Sequence, residues 1–134
     1  MFARVITCGL LLVAIQAPSV VAQKIHRISL VRAGSNQFRF EPKRVAANAG
    51  DVLEFTVKSG GPYVVGFQPA DLDPRARERL NAAIPDRTAP LRGPVLGGEG
   101  ARFRIVVPDL PRGSYRFVSV THLAYRMEGE LVVR

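Results

Sequence analysis

The chain has 134 residues, 47% of them hydrophobic, with 19 Lys+Arg against 11 Asp+Glu and a formal charge of +8. That length supports one compact core and not two. The only cysteine, Cys8, lies in an N-terminal leader, so the remainder has neither a disulfide framework nor a cysteine metal site, and two histidines are too few for a zinc centre.

Residues 1–22 read as a secretory signal. Arg4 precedes the apolar run Val5–Ile15, Pro18 breaks that run, and Val20-Val21-Ala22 offers small residues for cleavage. The stretch Val5–Val21 approaches the length of a membrane span but is weakened by Gln16, Pro18 and Ser19, so retention as a membrane anchor is the alternative. Without these 22 residues, 112 of the 134 remain as one domain, Gln23 to Arg134, with 18 basic and 11 acidic residues. Either reading exports the domain, to the periplasm or the outer face of the inner membrane. A basic exported domain suits acidic protein partners or anionic lipid surfaces, and no nucleic-acid partner is expected.

Ile25–Val31 alternates well enough to be a first strand, and Phe38 and Phe40 mark a second extended piece ending at Pro42. Gly50-Asp51 turns into a strand in which Leu53, Phe55 and Val57 face one way while Glu54, Thr56 and Lys58 face the other. Gly60-Gly61-Pro62 ends it, and Tyr63–Phe67 continues as another strand. Pro74–Ile84 is the one helical stretch, with Asp73 as its cap, Pro74 in its first turn and Leu80, Ala83 and Ile84 as its apolar face. Arg75, Arg77 and Arg79 form no single patch, because the three cannot share one helical face. A Pro/Gly-rich loop, 85–100, leads to the strands RFRIVV and YRFVSV, and the chain closes on ELVV. Many short strands with Gly/Pro turns and one excursion helix predict an all-β sandwich.

The segment SVTHLAYRMEGELVV places Ser119, His122 and Met127 at offsets of three and five between two strands. It resembles the copper-binding loop of the cupredoxins (plastocyanin/azurin-like blue copper proteins), which reads Cys-x-x-His-x-x-x-x-Met. FRFEPKRVAANAGDVLEFTV, SGGPYVVGF, LPRGSYRF and MEGELVV resemble further family segments in the same order, so the resemblance covers roughly residues 38–133. It implies a Greek-key β-sandwich and, in relatives, copper held by two His, a Cys and a Met. Here only His122 and Met127 match. Tyr63 stands at the first histidine position and Ser119 at the cysteine position.

A type 1 copper site needs two imidazoles and a thiolate with a weak axial thioether. Serine supplies no thiolate, and the tyrosine phenol ionises only near a pKa of about 10. The residues therefore predict no cofactor, while the resemblance implies copper. His122 is expected to be a hydrogen-bonded loop histidine, Met127 an apolar plug, and Tyr63 a space-filler whose hydroxyl pairs with His122 or Ser119. His26 is assigned no role. No H-E-x-x-H, G-x-S-x-G or P-loop is present, so no enzyme is expected.

Two functions follow. One is a metal-free binding or structural subunit on the periplasmic side of a membrane complex, a redox complex being the class that the resemblance suggests. It would bind a protein partner through Pro62, Leu123, Ala124, Tyr125 and Arg126, with Val5–Val21 available for membrane association. The alternative is a copper-binding electron-transfer protein with an altered site.

Overall fold

The computed structural model describes residues 9–15 and 22–134. Most of the expected leader lies outside the described residues; residues 9–15 are exposed and adopt no helix or strand. No helix among the described residues is long and apolar enough to cross a membrane.

Eight strands follow in chain order: β1 (Ile25–Gly34), β2 (Gln37–Glu41), β3 (Arg44–Ala47), β4 (Val52–Val57), β5 (Val65–Phe67), β6 (Arg102–Val106), β7 (Gly113–Ser119) and β8 (Glu128–Val133). One sheet is ordered β2-β1-β4-β6 and the other β3-β8-β7-β5. β1 pairs with β4 and β3 with β8 in parallel, and the remaining neighbours are antiparallel, so both sheets are mixed. This is the two-sheet β-sandwich anticipated from the alternating patterns.

β3 was not anticipated. RVAA is short, and only Val45 and Ala47 are apolar and buried in alternation. It becomes a strand because β8 offers a pairing edge, from Arg44 opposite Glu130 to Ala47 opposite Val133. Tertiary pairing here overrides a weak local signal.

The core between the sheets is aromatic. Phe117 of β7 meets Phe40 edge-on at 4.8 Å and Phe55 at 5.3 Å, and Phe55 stacks on Phe103 at 6.0 Å. Gly129 makes room for this cluster, since a Cβ there would sit well under 3.0 Å from the Phe117 ring.

Leu53, Phe55 and Val57 face the core as expected, but Glu54 on the opposite face is also buried, at 3% exposure. The strand register flanks it with Arg27 and Arg104. Arg104 Nε donates to Glu54 Oε2 at 2.7 Å, and Arg27 Nε lies 3.7 Å from Oε1. Burying a carboxylate requires such pairing. His26, given no role from the sequence, has Nε2 3.0 Å from Asp51 Oδ2, and Asp51 also accepts the Asn48 and Lys24 backbone N–H groups.

The helix α1 (Pro74–Ala83) starts as expected, with the Ala76 N–H donating to Asp73 Oδ1 at 2.8 Å. Its buried side is Ala76 and Leu80, with Ile84 just beyond; Ala83 is only partly covered. The excursion carrying α1 returns along β5. Phe67 N–H donates to Leu91 O at 3.0 Å and Gly93 N–H to Val65 O at 2.9 Å, which covers an otherwise open sheet edge.

Candidate functional site

β7 ends at Ser119, the chain makes a 3₁₀ turn through Val120–Tyr125, and β8 begins at Glu128. Arg126 adopts φ 53°, a left-handed conformation that lets the loop double back. The Ser119 N–H donates to Met127 O at 3.0 Å, closing the loop at its base. The Val120 N–H donates to Val64 O at 2.7 Å, and the Thr121 hydroxyl donates to Pro62 O at 3.2 Å. These bonds hold the loop against the segment carrying Tyr63. All four positions singled out from the sequence therefore meet at one end of the sandwich. Tyr63 and Ser119 are fully buried, Met127 is 1% exposed and His122 is 8% exposed.

The imidazole is fixed on two sides. Nδ1 lies 3.0 Å from Ser119 Oγ and 2.9 Å from Thr121 Oγ1. The ring lies 4.8 Å from that of Tyr63 and 4.2 Å from that of Phe38, with Tyr125 at 6.1 Å. Burial among these rings pushes the His122 pKa below the ordinary histidine value, because the charged form loses solvation.

Tyr63 corrects an expectation. Its hydroxyl pairs with neither His122 nor Ser119 but donates to the Ser59 backbone carbonyl at 2.6 Å. The phenol reaches past the imidazole toward the turn after β4, so it offers its ring face to His122 and its oxygen elsewhere. Burial raises its pKa, outweighing the lowering effect of the Arg32 charge. A metal at this end would thus meet a neutral phenol turned away, a serine hydroxyl, an imidazole nitrogen already hydrogen-bonded and a thioether. That donor set does not fit a type 1 copper centre. Among the described residues no group of three or more His, Cys, Asp or Glu is placed to hold a metal ion. The Ser119–His122 pair is no nucleophile–base couple either, since a fully buried hydroxyl meets no substrate.

The five residues expected to bind a partner lie on the surface over this cluster. Leu123 is 42% exposed and Tyr125 46%, and Pro62, Ala124 and Arg126 are also exposed. Sequence reasoning missed three contributors. Phe38 packs against both His122 and Tyr125, the latter at 5.1 Å. Arg32 places its guanidinium 5.8 Å from the Phe38 ring centre, and Thr121 links the imidazole to Pro62. The alternation of QFRF put Phe38 and Phe40 on one side of a strand, but gave no sign that Phe38 would reach the loop.

No family model and no curated protein matches the chain. Solved structures do. Oxidized plastocyanin from Dryopteris crassirhizoma aligns with a TM-score of 0.63 at 24% identity, covering 81% of this chain and 100% of that one. A mutant fern plastocyanin gives a TM-score of 0.62 at 24% identity with the same coverage. A variant of amicyanin, solved as its reduced Cu(I) form at pH 4, gives 0.56 at 17% identity and 87% coverage of each chain. The fold is cupredoxin-like. At these identities the likeness concerns the fold alone.

Proposed function

We propose that this chain is an exported, metal-free cupredoxin-like binding module. Its single domain, residues 23–134, docks a protein partner of a membrane-bound redox complex on the periplasmic side. The observation that carries the reading is the engagement of His122 Nδ1 by the Ser119 and Thr121 hydroxyls, with Tyr63 filling the remaining space and its oxygen committed to Ser59. Those contacts satisfy the buried polar groups without a metal, as a stable interior requires. The docking surface is the exposed cap of Pro62, Leu123, Ala124, Tyr125 and Arg126, where an aromatic ring and an arginine offer the residue types that dominate protein interfaces. Residues 1–22 direct export and are either removed or kept as an anchor through Val5–Val21.

The competing reading, an electron carrier with an altered copper site, draws on the plastocyanin and Cu(I) amicyanin structures that share the fold. It requires His122 to give up its hydroxyl partners and leaves imidazole and thioether as the only soft donors. Titrating Cu(II) and Cu(I) into the purified protein separates the two. The binding-module reading expects no intense blue absorption and no tight stoichiometric uptake; either result overturns it.

A further inference from the structure

At the far end of the sandwich from His122, the outer face of the β2-β1-β4-β6 sheet changes character. The register sets Ile25 beside Val52 and Val52 beside Val106, so these three form a cross-strand apolar row on one face. Ile25 is 38% exposed and Val106 49%, with Val52 between them buried at 6%. Past the β6 edge the apolar surface continues across Pro108 to Ala82 and Ala83 of α1, around a shallow hollow that Arg79 and Asp109 also line.

Arginines border this strip on both sides. The next row along the sheet is Arg27–Glu54–Arg104, and the row after it ends in Arg102. On the other side Arg75 and Arg79, four residues apart on α1, line one adjoining hollow with Asp109, Leu110 and Pro111. The three helix arginines still share no single face. Only Arg77 turns away, donating to the Pro69 and Leu72 carbonyls. The row of Arg102 begins at Glu41, which Arg39 engages, so six arginines (27, 39, 75, 79, 102 and 104) stand with four carboxylates, Glu41, Glu54, Asp109 and, beside Arg79 on α1, Glu78. Glu54 is engaged by Arg27 and Arg104, and Asp109 by Arg79. Two positive charges remain in excess, and neither Arg75 nor Arg102 forms an ion pair among the described residues.

We propose that this face rests on an anionic lipid surface. Two features select a bilayer over a protein partner. An apolar strip rimmed by arginine is the amphipathic pattern that settles at a charged lipid–water interface. Where the apolar segment Val5–Val21 is kept as an anchor, only Ala22, Gln23 and Lys24 separate it from Ile25 on this strip, which brings this face to the bilayer. The inference goes beyond the binding-module reading and does not depend on whether copper is held. The His122 end lies at the other end of β1, near Arg32, roughly 23 Å along the strand. A domain seated on lipid in this way keeps its Leu123–Tyr125 cap clear of the apolar strip, free for a partner.

The test uses the full chain with Cys8→Ser and a single labelled cysteine, either Val106→Cys or Leu123→Cys. Both sites are substantially exposed, so labelling leaves the core intact. Fluorescence quenching is read with brominated lipids in phosphatidylglycerol-rich and in pure phosphatidylcholine vesicles. The label at position 106 should be quenched in the anionic vesicles, with the ratio of quenched to unquenched label roughly thirtyfold higher than in zwitterionic ones, from two uncompensated charges at about 1 kcal/mol each. Arg75→Gln or Arg102→Gln should each lower that ratio about fivefold. The label at position 123 should stay unquenched in both. Equal quenching at the two positions, or no dependence on lipid charge, overturns the proposal. A position-106 label unquenched in every vesicle also overturns it and leaves the face to an acidic protein.

Discussion

Supplying the donors that a type 1 site needs is the sharpest test of how the His122 end relates to a copper site. The double substitution Tyr63→His with Ser119→Cys places an imidazole and a thiol where a cupredoxin-like site would need them. Ser119 is fully buried and bonds His122 Nδ1 at 3.0 Å, so its replacement forfeits one buried hydrogen bond, about 0.5–1.5 kcal/mol. The loss falls at the low end, because Thr121 Oγ1 remains 2.9 Å from the same nitrogen. Tyr63→His removes the hydroxyl bonded to Ser59 and shrinks a fully buried ring. That costs about 2–3 kcal/mol, less than the roughly 3–5 kcal/mol of truncating a buried aromatic to alanine. The two sites share His122 as a neighbour, so the costs need not add, but even their sum leaves a domain of ordinary stability, about 5–15 kcal/mol, folded. Copper at one hundred times its dissociation constant would return about 2.7 kcal/mol. The assay is thermal unfolding with and without copper, together with the visible absorption spectrum. A raised Tm and a blue colour are expected. A variant that folds, by its circular dichroism, but gains neither would refute the alignment of this loop with a copper-ligand loop.

Asp51→Asn should lower stability at neutral pH by about 1.5–3 kcal/mol, since the carboxylate accepts from His26, Asn48 and Lys24. Backbone hydrogen bonding from Asn48, then the His26 contact, holds the folded Asp51 pKa below its ordinary 3.8, so its stabilisation is present above that value and fades as pH falls through the folded pKa. Denaturant unfolding at pH 7 and pH 3 should therefore show a smaller difference between wild type and variant at the lower pH. His122 should titrate by NMR with a midpoint below 6.5, and Phe38→Ala, by admitting water to the ring, should move it upward; because the unfolded histidine takes up a proton first, this site costs stability as pH drops below 6.5. Gly129→Ala should cost about 1–3 kcal/mol or more in chemical denaturation, because its Cβ displaces Phe117 from the Phe40–Phe55 contact. Asp73→Ala should remove about 1 kcal/mol by uncapping α1 while leaving the His122 NMR signal unchanged.

Much of the fold was legible because its signals are local. Alternation with period two marked β1, β4, β6 and β7, and Asp73-Pro74 marked the start of α1. The order of the turn and strand segments supplied the resemblance that the structural matches bear out as fold. β3 and the burial of Glu54 were not legible, since both depend on a register between strands far apart in sequence.

At the site the same division holds. The sequence by itself determined which side chains are available: one imidazole, one thioether, a serine and a tyrosine at the positions that matter, with no thiolate in the domain. Only the tertiary structure decided how they use their polar atoms. Whether the Tyr63 hydroxyl reaches His122 or the Ser59 carbonyl is a matter of angstroms, fixed by where the turn after β4 lies against the loop after β7. Likewise Phe38, Arg32 and Thr121 join the cluster only because separate strands deliver them there. Side-chain chemistry is written residue by residue, whereas hydrogen bonding and burial depend on distances that exist only once the two sheets have packed.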